Sequence, residues 1–435
     1  MMKIEKVGIV GLGTVGTGTL KILINEREKI HQKTGVWIDV KKACDLNIER
    51  EFDFDVDRSI FTNNYNELIE DDEISIIVEL IGGYTIAKDI IIKALKAGKN
   101  VVTANKALIA KYSKELFAIA NSNGTKIYYE ASVGGGIPII TPLQESLAGN
   151  NILSIKGIIN GTANYILTEM TEKNIEFEKV LKKAQELGYA EADPTFDIEG
   201  IDTAHKITIL ASLAYGGYVD FEKVGVKGIT SITGEDIKFA NDLGYNIKLL
   251  ATAKKYEDEE IEVRVQPTLI SQKEILSNVN DVYNAIEVIG DYVGKTMFYG
   301  KGAGMEPTGS AVVADVIKLA TEDLANNIPK GNYYYNINKE LSLRALEKSI
   351  SKYYIRLNVK DEIGTLAFVT NKFKDNNISI ESMIQTCKSF DDNKFVSLIF
   401  ITHDVLEADL KKSLDEIYIS ENVNVEKSIL LKIDE

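Results

Sequence analysis

The N-terminal segment carries a strand, a glycine-rich turn and a helix in immediate succession, and this restricts the fold more than any other feature of the chain. Residues 4–10 have the pattern of a short buried strand, Gly11, Gly13 and Gly16 follow at once, and a helical pattern covers about 14–30. The spacing G-x-G-x-x-G is weak evidence by itself, but between a strand and a helix it predicts a dinucleotide site. The first glycine makes the turn, the second lets a pyrophosphate approach the backbone, and the third lets helix and strand pack closely.

Strands and helices go on alternating through residues 1–135, and this rhythm predicts an α/β domain with a doubly wound parallel sheet. Further strands are expected at 36–43, 74–80, 100–103 and 126–132, with a helix at 85–97. Ligands of such sheets lie beyond the carboxyl ends of the strands, and an acidic residue after the second strand normally takes the ribose 2′-hydroxyl. The cofactor-binding candidates in this domain are Gly11, Gly13, Thr14, Val15, Gly16, Asp45, Gly82, Thr103 and Lys106.

A run of acidic residues between Gly188 and Lys206 is the strongest chemical signal in the middle of the chain. The turn-forming pair Asp193-Pro194 places the start of a helix near Gly200. In that helix Asp202 and Lys206 are four positions apart, so they share one face. On a protein surface such a pair contributes only a few tenths of a kcal/mol. The acidic residues of the run are Glu191, Asp193, Asp197, Glu199 and Asp202.

The rest of this helix is apolar on nearly every side, which favours a buried helix over a surface helix. A buried carboxylate and a buried ammonium need partners, or they line a polar cavity. The acidic residues upstream can line the same cavity. Such a site suits a polar small molecule that carries an amine, together with a lysine that donates a proton.

Length and composition argue against several classes of protein. The chain has 435 residues, enough for two or three domains, and its net charge of -15 argues against a nucleic-acid partner. It lacks an 18-residue apolar run and starts directly with a strand pattern, so we expect neither a membrane span nor a signal peptide. Cys44 and Cys387 are far apart, and the chain has only three histidines. We therefore expect a reduced, cytoplasmic protein without a disulfide framework or a transition-metal site.

Residues 136–304 mix strands and helices without a parallel rhythm, and we expect an α+β domain for substrate binding and dimerisation. A large open sheet of this kind is a natural surface for a homo-oligomer. A helix is expected at 305–327, and the polar composition of 328–351 suggests a linker. The strands expected in 136–304 are 152–159, 247–254, 261–269, 282–289 and 296–299, and the helices are 163–172 and 177–187.

The last segment, 352–435, has the order strand–helix–strand–strand–helix–strand, which is the ferredoxin-like βαββαβ arrangement. Its strands are expected at 353–359, 378–385, 394–402 and 423–431.

Several motifs, in the same order, resemble those of homoserine dehydrogenases. Leu187-Gly-Tyr-Ala-Glu-Ala-Asp-Pro-Thr195, followed by Asp197-x-x-Gly-x-Asp-x-x-x-Lys206, is similar to the substrate-site signature of that family. Residues 101–110 and 160–167 match two further segments. The resemblance covers essentially the whole chain. It implies reversible reduction of L-aspartate 4-semialdehyde to L-homoserine with NADH or NADPH, on the route to threonine and methionine.

The resemblance also implies roles for the site residues. Lys206 would protonate the substrate oxygen, with Lys106 beside it and Asp202 orienting Lys206 or a water. From position alone, Lys106 equally well fits a surface residue at the start of a helix. The substrate-binding residues would be Glu191, which takes the substrate ammonium, together with Asp197, Asp202 and Lys106.

Cofactor preference stays open between NAD and NADP. The family often has an arginine just before the aspartate at position 45, where this chain has Cys44. An arginine there accommodates the 2′-phosphate of NADP, whereas the acidic residue favours NAD. Lys41, Lys42 or Arg50 can compensate. In the family, the loop that contains Gly302 returns to the cofactor, and the helix after it rejoins the first domain.

The glycines at 134–136 follow a predicted strand. By themselves they suit a hinge between domains or a backbone whose carbonyl groups turn inward. In the family this loop carries a monovalent cation such as Na⁺, and hard cations prefer oxygen ligands. The resemblance makes Glu130, Val133, Gly135 and Ile137 its ligands.

The turn Asp361-x-x-Gly364-x-Leu366 in the last segment, with Asn-Ile-Ser-Ile downstream, resembles the ACT regulatory domain. The resemblance makes these three residues part of an effector site, with threonine as the first candidate. Ile363 stands where a proline usually precedes the glycine. A plain dimerisation module is the alternative.

Two other functions compete with this interpretation. A nucleotide-sensing regulatory protein would combine a dinucleotide domain with an ACT domain but catalyse no turnover, and the presence of Lys106, Asp202 and Lys206 argues against it. Another dinucleotide-dependent dehydrogenase of amino-acid metabolism is disfavoured by the run from Glu191 to Lys206.

Overall fold

The N-terminal segment folds into a parallel sheet flanked by helices. The computed structural model describes residues 4–322, 336–386 and 395–434. The elements of the first domain are β1 (Ile4–Val10), α1 (Thr14–Asn25), α2 (Arg27–Thr34), β2 (Trp37–Cys44), β3 (Phe61–Thr62), α3 (Asn66–Ile69), β4 (Ile76–Glu79), α4 (Thr85–Lys96), β5 (Asn100–Thr103), α5 (Lys106–Asn123) and β6 (Ile127–Tyr128). Their strand order is β3-β2-β1-β4-β5-β6. This is the order of dinucleotide-binding doubly wound sheets, so the predicted fold class is confirmed.

The helix after the glycine-rich turn is shorter than the sequence pattern suggests. The pattern at 14–30 breaks at Glu26, which separates α1 from α2. Arg27 pairs with Asp39 at 3.3 Å and lies 5.6 Å from the ring of Trp37. These contacts with β2 fix the direction in which α2 leaves α1.

The strand expected at 126–132 is also shorter, because it covers only Ile127–Tyr128. Beyond it the N–H of Glu130 donates to the Asp315 carboxylate at 2.8 Å, and the chain enters a 3-10 turn over Glu130–Ser132. The Glu130 N–H is therefore bonded to a side chain and not to a neighbouring strand, so the strand ends before it.

The second domain is built around an antiparallel sheet, and the strands expected there are confirmed. Its elements are β7 (Ile152–Ile158), α6 (Gly161–Lys173), α7 (Phe177–Glu186), α8 (Thr195–Ile198), α9 (Ile201–Ala214), β8 (Gly217–Tyr218), β9 (Gly225–Val226), α10 (Gly234–Asp242), β10 (Tyr245–Lys255), β11 (Ile261–Ser271), β12 (Tyr283–Gly290), β13 (Gly294–Lys301) and α11 (Met305–Glu322). The sheet runs β13-β12-β7-β10-β11, with α6 and α9 packed against it. Helix α9 starts directly after Gly200, whose φ is +79°.

Helix α11 returns to the first domain and packs on α1. A Cβ atom on Gly18 would lie 2.3 Å from the carbonyl oxygen of Met305, and one on Gly309 would lie 2.9 Å from the backbone of Gly18. The two glycines therefore permit a helix–helix approach that any side chain would block.

The C-terminal segment has the predicted βαββαβ order. Its elements are β14 (Asn336–Glu340), β15 (Ile350–Lys360), α12 (Thr365–Asp375), β16 (Ile380–Gln385), β17 (Phe395–Thr402), β18 (Val405–Leu406), α13 (Glu407–Tyr418) and β19 (Val423–Asp434). The four long strands lie in the order β19-β15-β17-β16 with antiparallel pairing, which is the ferredoxin-like order. Helices α12 and α13 pack on each other, and their residues share a core with the strands on one face of this sheet.

The C-terminal sheet continues the sheet of the second domain. Strand β19 pairs in parallel with β11, with Thr268 opposite Lys432, so both belong to one 11-stranded sheet. The described part of the segment expected as a linker, 336–351, also contacts the second domain, partly through a separate two-stranded sheet. There β14 pairs with β8, and Leu343 forms a bridge with Ile261. Residues 323–335, which contain the end of the expected helix and the start of the expected linker, lie outside the described residues, as does Cys387.

Within the described ranges, no helix combines the length and the apolar character that crossing a membrane requires. Cys44 is buried with a free thiol.

Candidate active site

A cavity of about 700 Å³ lies between the glycine-rich turn of the first domain and helix α9 of the second. Its wall combines residues of the turn, the start of α5, the acidic run and the loop after β13. Groups expected to bind a dinucleotide and groups expected to bind an amino-acid substrate therefore share one cavity. The predicted site residues that line it are Thr14, Val15, Lys106, Gly135, Glu191, Asp197, Asp202, Lys206 and Gly302.

The Asp202 carboxylate joins two lysines in this cavity. Lys206 Nζ donates to Asp202 Oδ2 at 2.7 Å and to the carbonyl oxygen of Ile159 at 2.7 Å. Lys106 Nζ lies 3.1 Å from Asp202 Oδ1. Asp202 is 6% exposed and Lys206 is 9% exposed, so the four-residue spacing marks a buried pair and not a surface pair.

Asn160 fixes two carboxylates of the site at once. Its Nδ2 group donates to Asp202 Oδ2 at 2.9 Å and to Asp197 Oδ1 at 2.7 Å. Its Oδ1 atom accepts the N–H of Ala163 at 2.8 Å and thereby caps α6. The sequence analysis gave Asn160 no role of its own. The available signal was its position between a strand and a helix, where a capping residue is expected.

Charge pairing determines which groups of the site are ionised. Burial by itself raises the pKa of Asp202, but the ammonium groups of Lys206 and Lys106 outweigh it and hold that pKa well below its ordinary value. The attraction of Asp202 raises the pKa of Lys106. His205 packs against Phe221 with ring centroids 4.4 Å apart, and burial lowers its pKa to about 4. Lys106 therefore carries a positive charge in the site, and His205 stays neutral at physiological pH.

The acidic run divides between the cavity and the surface. Glu191 is exposed at the mouth of the cavity, and Asp197 lies deeper, where burial raises its pKa. Asp193 instead accepts the Thr195 hydroxyl at 2.6 Å and the Thr195 N–H at 3.1 Å, outside the cavity lining. Its role is to form the turn that leads into α8.

The glycine-rich turn has the geometry of a phosphate site. Gly11 has a φ of +96°, and a Cβ atom on Gly16 would lie 1.9 Å from the Gly11 carbonyl oxygen. Helix α1 begins after Gly13 without a side-chain cap, so the N–H groups of its first turn are free of intrahelical acceptors. Thr14 and Val15 in this turn line the cavity. These features fit the pyrophosphate of a dinucleotide.

Asp45, expected at the ribose, is engaged by the turn itself. The N–H of Leu12 donates to Asp45 Oδ2 at 2.7 Å, and the N–H of Asn47 donates to Oδ1 at 3.0 Å. The Arg50 guanidinium donates to the carbonyl oxygen of Leu12. An arginine side chain therefore lies against the glycine-rich turn.

The other residues considered for the 2′-phosphate make ion pairs or are buried in the core. Lys41 pairs with Asp71 at 2.7 Å, and Lys42 pairs with Glu67 at 2.8 Å. The Cys44 side chain is buried in the apolar core, and burial raises the pKa of its thiol to about 11. Among the alternatives that the sequence left open, the contact with the turn favours Arg50.

The Glu79 carboxylate forms hydrogen bonds at the ends of β4 and β5, next to this turn. Its buried carboxylate accepts the Ile81 N–H at 2.8 Å, the Gly82 N–H at 3.1 Å and the Thr103 hydroxyl at 2.7 Å. Burial raises the pKa of Glu79. Gly82 and Thr103 are thereby fixed beside the cavity. The sequence analysis missed Glu79, although an acidic residue that ends an apolar strand is a visible signal.

Of the residues predicted to hold a cation, Gly135 lines the cavity, and Glu130, Val133 and Ile137 are buried. The Glu130 carboxylate accepts three backbone N–H groups, two on Oε1 and one on Oε2. A Cβ atom on Gly135 would lie 2.4 Å from the Gly302 carbonyl oxygen, which shows how closely the two loops approach. Val133 and Ile137 are fully buried beside them. The donors to Glu130 are the N–H groups of Ile139 at 2.6 Å, Ile140 at 2.8 Å and Thr141 at 2.8 Å. Within the described part of the chain, the side chains of His, Cys, Asp and Glu form no group of three that would hold a metal ion.

The predicted effector residues are in the C-terminal segment. Gly364 has a φ of +95° and directly precedes α12, with Asp361 exposed in the turn before it. Leu366 lies in the first turn of α12, and Ile363 is fully exposed.

The sequence analysis assigned several lining residues no role of their own, although Thr162 and Tyr189 lie within the quoted motifs. Thr162 donates from its hydroxyl to the Tyr189 carbonyl oxygen at 2.6 Å and so ties α6 to the acidic run. Lys301 enters the lining from the end of β13, an edge strand of the sheet. The missed residues include Ala131, Ser132, Thr162, Tyr189, Lys301 and Thr308.

Two family models match the chain. The model for homoserine dehydrogenase matches residues 138–317, and the model for the homoserine dehydrogenase NAD binding domain matches residues 11–130. These ranges contain the glycine-rich turn, both lysines of the cavity and the acidic run.

Similar proteins are found along the whole length of the chain. The homoserine dehydrogenase of Neisseria gonorrhoeae is 43% identical over 416 residues, which are 95% of each chain. That of Pseudomonas aeruginosa is 43% identical over 426 residues, 97% of each chain. The crystal structure of a homoserine dehydrogenase from Thiobacillus denitrificans has a TM-score of 0.91 at 41% identity and covers 100% of this chain and 99% of its own. A hyperthermophilic archaeal homoserine dehydrogenase in complex with NADPH has a TM-score of 0.61 at 28% identity, covering 77% of this chain and 100% of its own.

Proposed function

The chain belongs to the homoserine dehydrogenase family and is an NAD(P)-dependent oxidoreductase, and from this premise we propose how its own residues interconvert L-homoserine and L-aspartate 4-semialdehyde. One observation carries the proposal. The Asp202 carboxylate joins Lys106 and Lys206 in the cavity that Thr14 and Val15 of the glycine-rich turn also line.

The glycine-rich turn would hold the pyrophosphate of the cofactor through the N–H groups at the start of α1. The nicotinamide, when bound, supplies or accepts the hydride, and the protein orients the substrate and stabilises charge. The closeness of Gly16 to the Gly11 carbonyl oxygen supports this assignment, because that backbone geometry excludes any side chain at position 16.

Lys206 is the proposed proton donor to the aldehyde oxygen in the direction of reduction. Its ammonium has three N–H groups, of which Asp202 and the Ile159 carbonyl oxygen use two. The third can donate to the oxygen that gains negative charge. In the reverse direction the neutral amine takes the proton of the homoserine hydroxyl.

Asp202 and Lys106 act on the same oxygen by electrostatics. With Lys206 they form a group of two cations and one anion, so that one positive charge remains for the developing alkoxide. We propose that Asp202 positions Lys206, while Lys106, half-exposed to the cavity, stabilises the alkoxide. Glu191 at the cavity mouth and Asp197 would bind the substrate ammonium.

Cofactor preference is proposed to depend on Arg50. Its guanidinium reaches the backbone of the glycine-rich turn, whereas Lys41 and Lys42 are paired with Asp71 and Glu67. An arginine in that place suits the 2′-phosphate of NADP. We therefore propose that the enzyme accepts NADPH despite Cys44.

The loop at 133–137 would hold a monovalent cation through Glu130 and the carbonyl oxygens of Val133, Gly135 and Ile137. The close approach of this loop to Gly302 supports a role in joining the two walls of the cavity. The chemistry of carbonyl oxygens suits a hard cation such as Na⁺.

We further propose that the enzyme works on the route to threonine and methionine as a homo-oligomer. The βαββαβ segment would act as an ACT domain that binds threonine through the turn of Asp361, Gly364 and Leu366 and reduces activity. The left-handed backbone of Gly364 at the start of α12 supports a close approach of a small ligand.

The activity test is direct. Purified protein is mixed with L-homoserine and NAD⁺ or NADP⁺, and the absorbance of the reduced nicotinamide is followed. Turnover that depends on homoserine supports the proposal, and the absence of turnover with both cofactors contradicts it. L-Serine, which is one methylene shorter, is the matched control substrate.

A further inference from the structure

One asparagine side chain connects the two parts of the active site that would hold opposite ends of the substrate. Asn160, at the junction of β7 and α6, donates from Nδ2 to Asp197 Oδ1 at 2.7 Å and to Asp202 Oδ2 at 2.9 Å. Under the proposed function, Asp197 binds the substrate ammonium, and Asp202 positions Lys206 at the oxygen that reacts. A single amide group is therefore bonded to both subsites.

The Asn160 side chain is itself held in place. Its Oδ1 atom accepts the N–H of Ala163 at 2.8 Å, and only 5% of the residue is exposed. An asparagine amide has one acceptor oxygen and two N–H donors. The reversed amide would place its oxygen against two carboxylates, so only one orientation is compatible with these contacts. The carbonyl oxygen of the preceding Ile159 accepts Lys206 Nζ at 2.7 Å, so two adjacent residues position groups of both subsites.

Asp197 depends on such contacts for its position. It lies in α8, which has only four residues, and a helix of that length is not stable by itself in water. Asp202 lies in the separate helix α9. The Asn160 amide bonds to one carboxylate of each helix and so limits how far apart the two carboxylates can be. Burial raises the pKa of Asp197, and the hydrogen bond from Asn160 opposes this rise, which favours the ionised form that binds an ammonium.

The separation of the two subsites matters because chain length fixes the separation of the two ends of the substrate. In homoserine the ammonium is on Cα and the hydroxyl is on Cγ. Serine has one methylene fewer, and 5-hydroxynorvaline has one more. An enzyme that holds both ends at a fixed distance favours one of these alcohols, because only that one places its hydroxyl correctly. One methylene typically changes kcat/KM by about 10-fold to 200-fold.

We propose that Asn160 sets the distance between the two subsites and thereby selects alcohols with the chain length of homoserine, an inference that rests on the proposed function. Asn160 acts through the two carboxylates, so it is a positioning residue and not a catalytic one. Without its N–H groups, Asp197 would lose its bond to the turn that also holds Lys206. The ammonium subsite would then shift relative to Lys206, and a longer amino alcohol would fit.

The variant Asn160→Ser tests this role, because serine still caps a helix but lacks the N–H groups that join the carboxylates. Oxidation of L-homoserine and of L-5-hydroxynorvaline is measured at saturating cofactor. In the variant, kcat/KM for homoserine should fall by about 10-fold to 100-fold, as expected for lost hydrogen bonds to charged groups. For 5-hydroxynorvaline kcat/KM should not fall. The ratio of the two values should therefore drop at least about tenfold, with KM for the cofactor unchanged.

The matched control is Asn164→Ser on the same helix. The Asn164 amide donates to the carbonyl oxygens of Val279 and Tyr283, which are outside the lining of the active-site cavity. This variant should lower Tm but keep the ratio of the two kcat/KM values. Asn160→Asp, which retains the size and the capping oxygen but has no N–H group, is the second variant in case the serine variant does not fold. It should lower the ratio as well.

Three results would overturn the role of Asn160. They are an unchanged ratio in a folded Asn160 variant, an equal loss of kcat/KM with both alcohols, and loss of the folded state in both variants, which would assign Asn160 to the fold alone. All three concern the variants. An absence of homoserine turnover in the wild type would instead contradict the proposed function, and the role of Asn160 with it.

Discussion

At the scale of single residues, the site depends on which groups contact each of the two carboxylate oxygens of Asp202. Oδ2 takes Lys206 and the Asn160 amide, and Oδ1 takes Lys106. Both ammonium groups are thus held by one buried carboxylate. Because Asp202 has a strongly depressed pKa, its carboxylate stays ionised throughout the physiological pH range.

Replacing Lys206 should remove the proton donor but leave the cavity folded. In Lys206→Ala, Asp202 keeps Lys106 and Asn160 as partners, so the buried carboxylate is not left alone. We expect kcat to fall by about 10²–10⁴-fold, which is the usual contribution of general acid catalysis, with cofactor affinity nearly unchanged. Lys179→Ala, an exposed lysine on α7, is the matched control in steady-state kinetics. Near-normal turnover in a folded Lys206→Ala variant would rule out the proton-donor role.

Glu191 should act on substrate affinity alone. It is exposed at the cavity mouth, and an ammonium–carboxylate contact is about twice as strong as a neutral hydrogen bond. Glu191→Gln should therefore raise KM for homoserine and leave KM for the cofactor unchanged. Glu178→Gln on α7 serves as the control. If KM for homoserine does not move, Glu191 has only a structural role.

Arg50 should discriminate between the two nicotinamide cofactors. A charge-assisted contact with the 2′-phosphate contributes about 1.5–3 kcal/mol, so Arg50→Ala should raise KM for NADPH by about 10-fold to 100-fold. KM for NADH should change little, because NADH lacks that phosphate. Lys42→Ala, which removes a cation paired with Glu67, is the control. An equal loss with both cofactors would instead assign Arg50 to the shape of the turn.

At the scale of elements, the long periodic segments were predictable and the short ones were not. Local patterns of apolar residues predict strands β1, β10, β11 and β12 and helix α9. Helix α8, with four residues, has too few positions for a pattern. The early end of β6 depends on the bond from Glu130 to Asp315, a residue far along the chain, and no local signal contains it.

The same limit applies to the candidate site. The spacing of Asp202 and Lys206 within one helix predicts their contact, since both lie on one face. The contact of Asp202 with Lys106 joins two domains, and only the resemblance to a family suggested it. Asn160 and Glu79 act through contacts between separate elements, so their partners are identified only in the folded chain, although local signals marked both positions.

Strand β10 contains a buried lysine that should give the protein a measurable pH dependence. Lys248 donates to the carbonyl oxygen of Val279 at 2.7 Å and to Asn280 Oδ1 at 2.9 Å, and burial lowers its pKa from 10.5 to about 8. Between these two values the unfolded chain binds more protons than the folded chain at this residue. The contribution of Lys248 to the free energy of unfolding therefore rises as pH increases from about 8 to 10.5.

The variant Lys248→Met lacks this titration and keeps a long apolar side chain. The free energy of unfolding of the wild type relative to the variant should increase by roughly 3 kcal/mol across that pH window. Urea unfolding at a series of pH values measures the difference, and using the difference cancels groups that titrate in both proteins. A difference that stays constant with pH would show that Lys248 keeps an ordinary pKa in the folded protein.

At the scale of the whole molecule, the C-terminal segment and the second domain share one sheet. The sequence predicted the βαββαβ order of this segment but treated it as separate, because the pairing of β19 with β11 joins strands more than 150 residues apart. Buried ion pairs also connect the C-terminal segment to the second domain. Arg264 on β11 lies 2.8 Å from Glu262 and 3.0 Å from Glu407, and Lys432 lies 3.4 Å from Glu262. The segment is therefore part of the structural core of the enzyme as well as a proposed regulatory unit.

Removing this segment should consequently destabilise the enzyme. A chain that ends at Asn327 loses the partner of β11 and leaves the backbone of Thr268–Ile270 as an open edge, which promotes aggregation. It also removes Glu407 from Arg264, which then keeps only Glu262 of its two ion-pair partners. We expect a lower Tm and larger species in size-exclusion chromatography than for the full-length enzyme. The full-length variant Glu407→Gln separates the two causes, since it weakens the ion pair but keeps β19 in place, and it should lower Tm without promoting aggregation. A truncated chain that stays uniform in size with the Tm of the full-length enzyme would contradict this view of the junction.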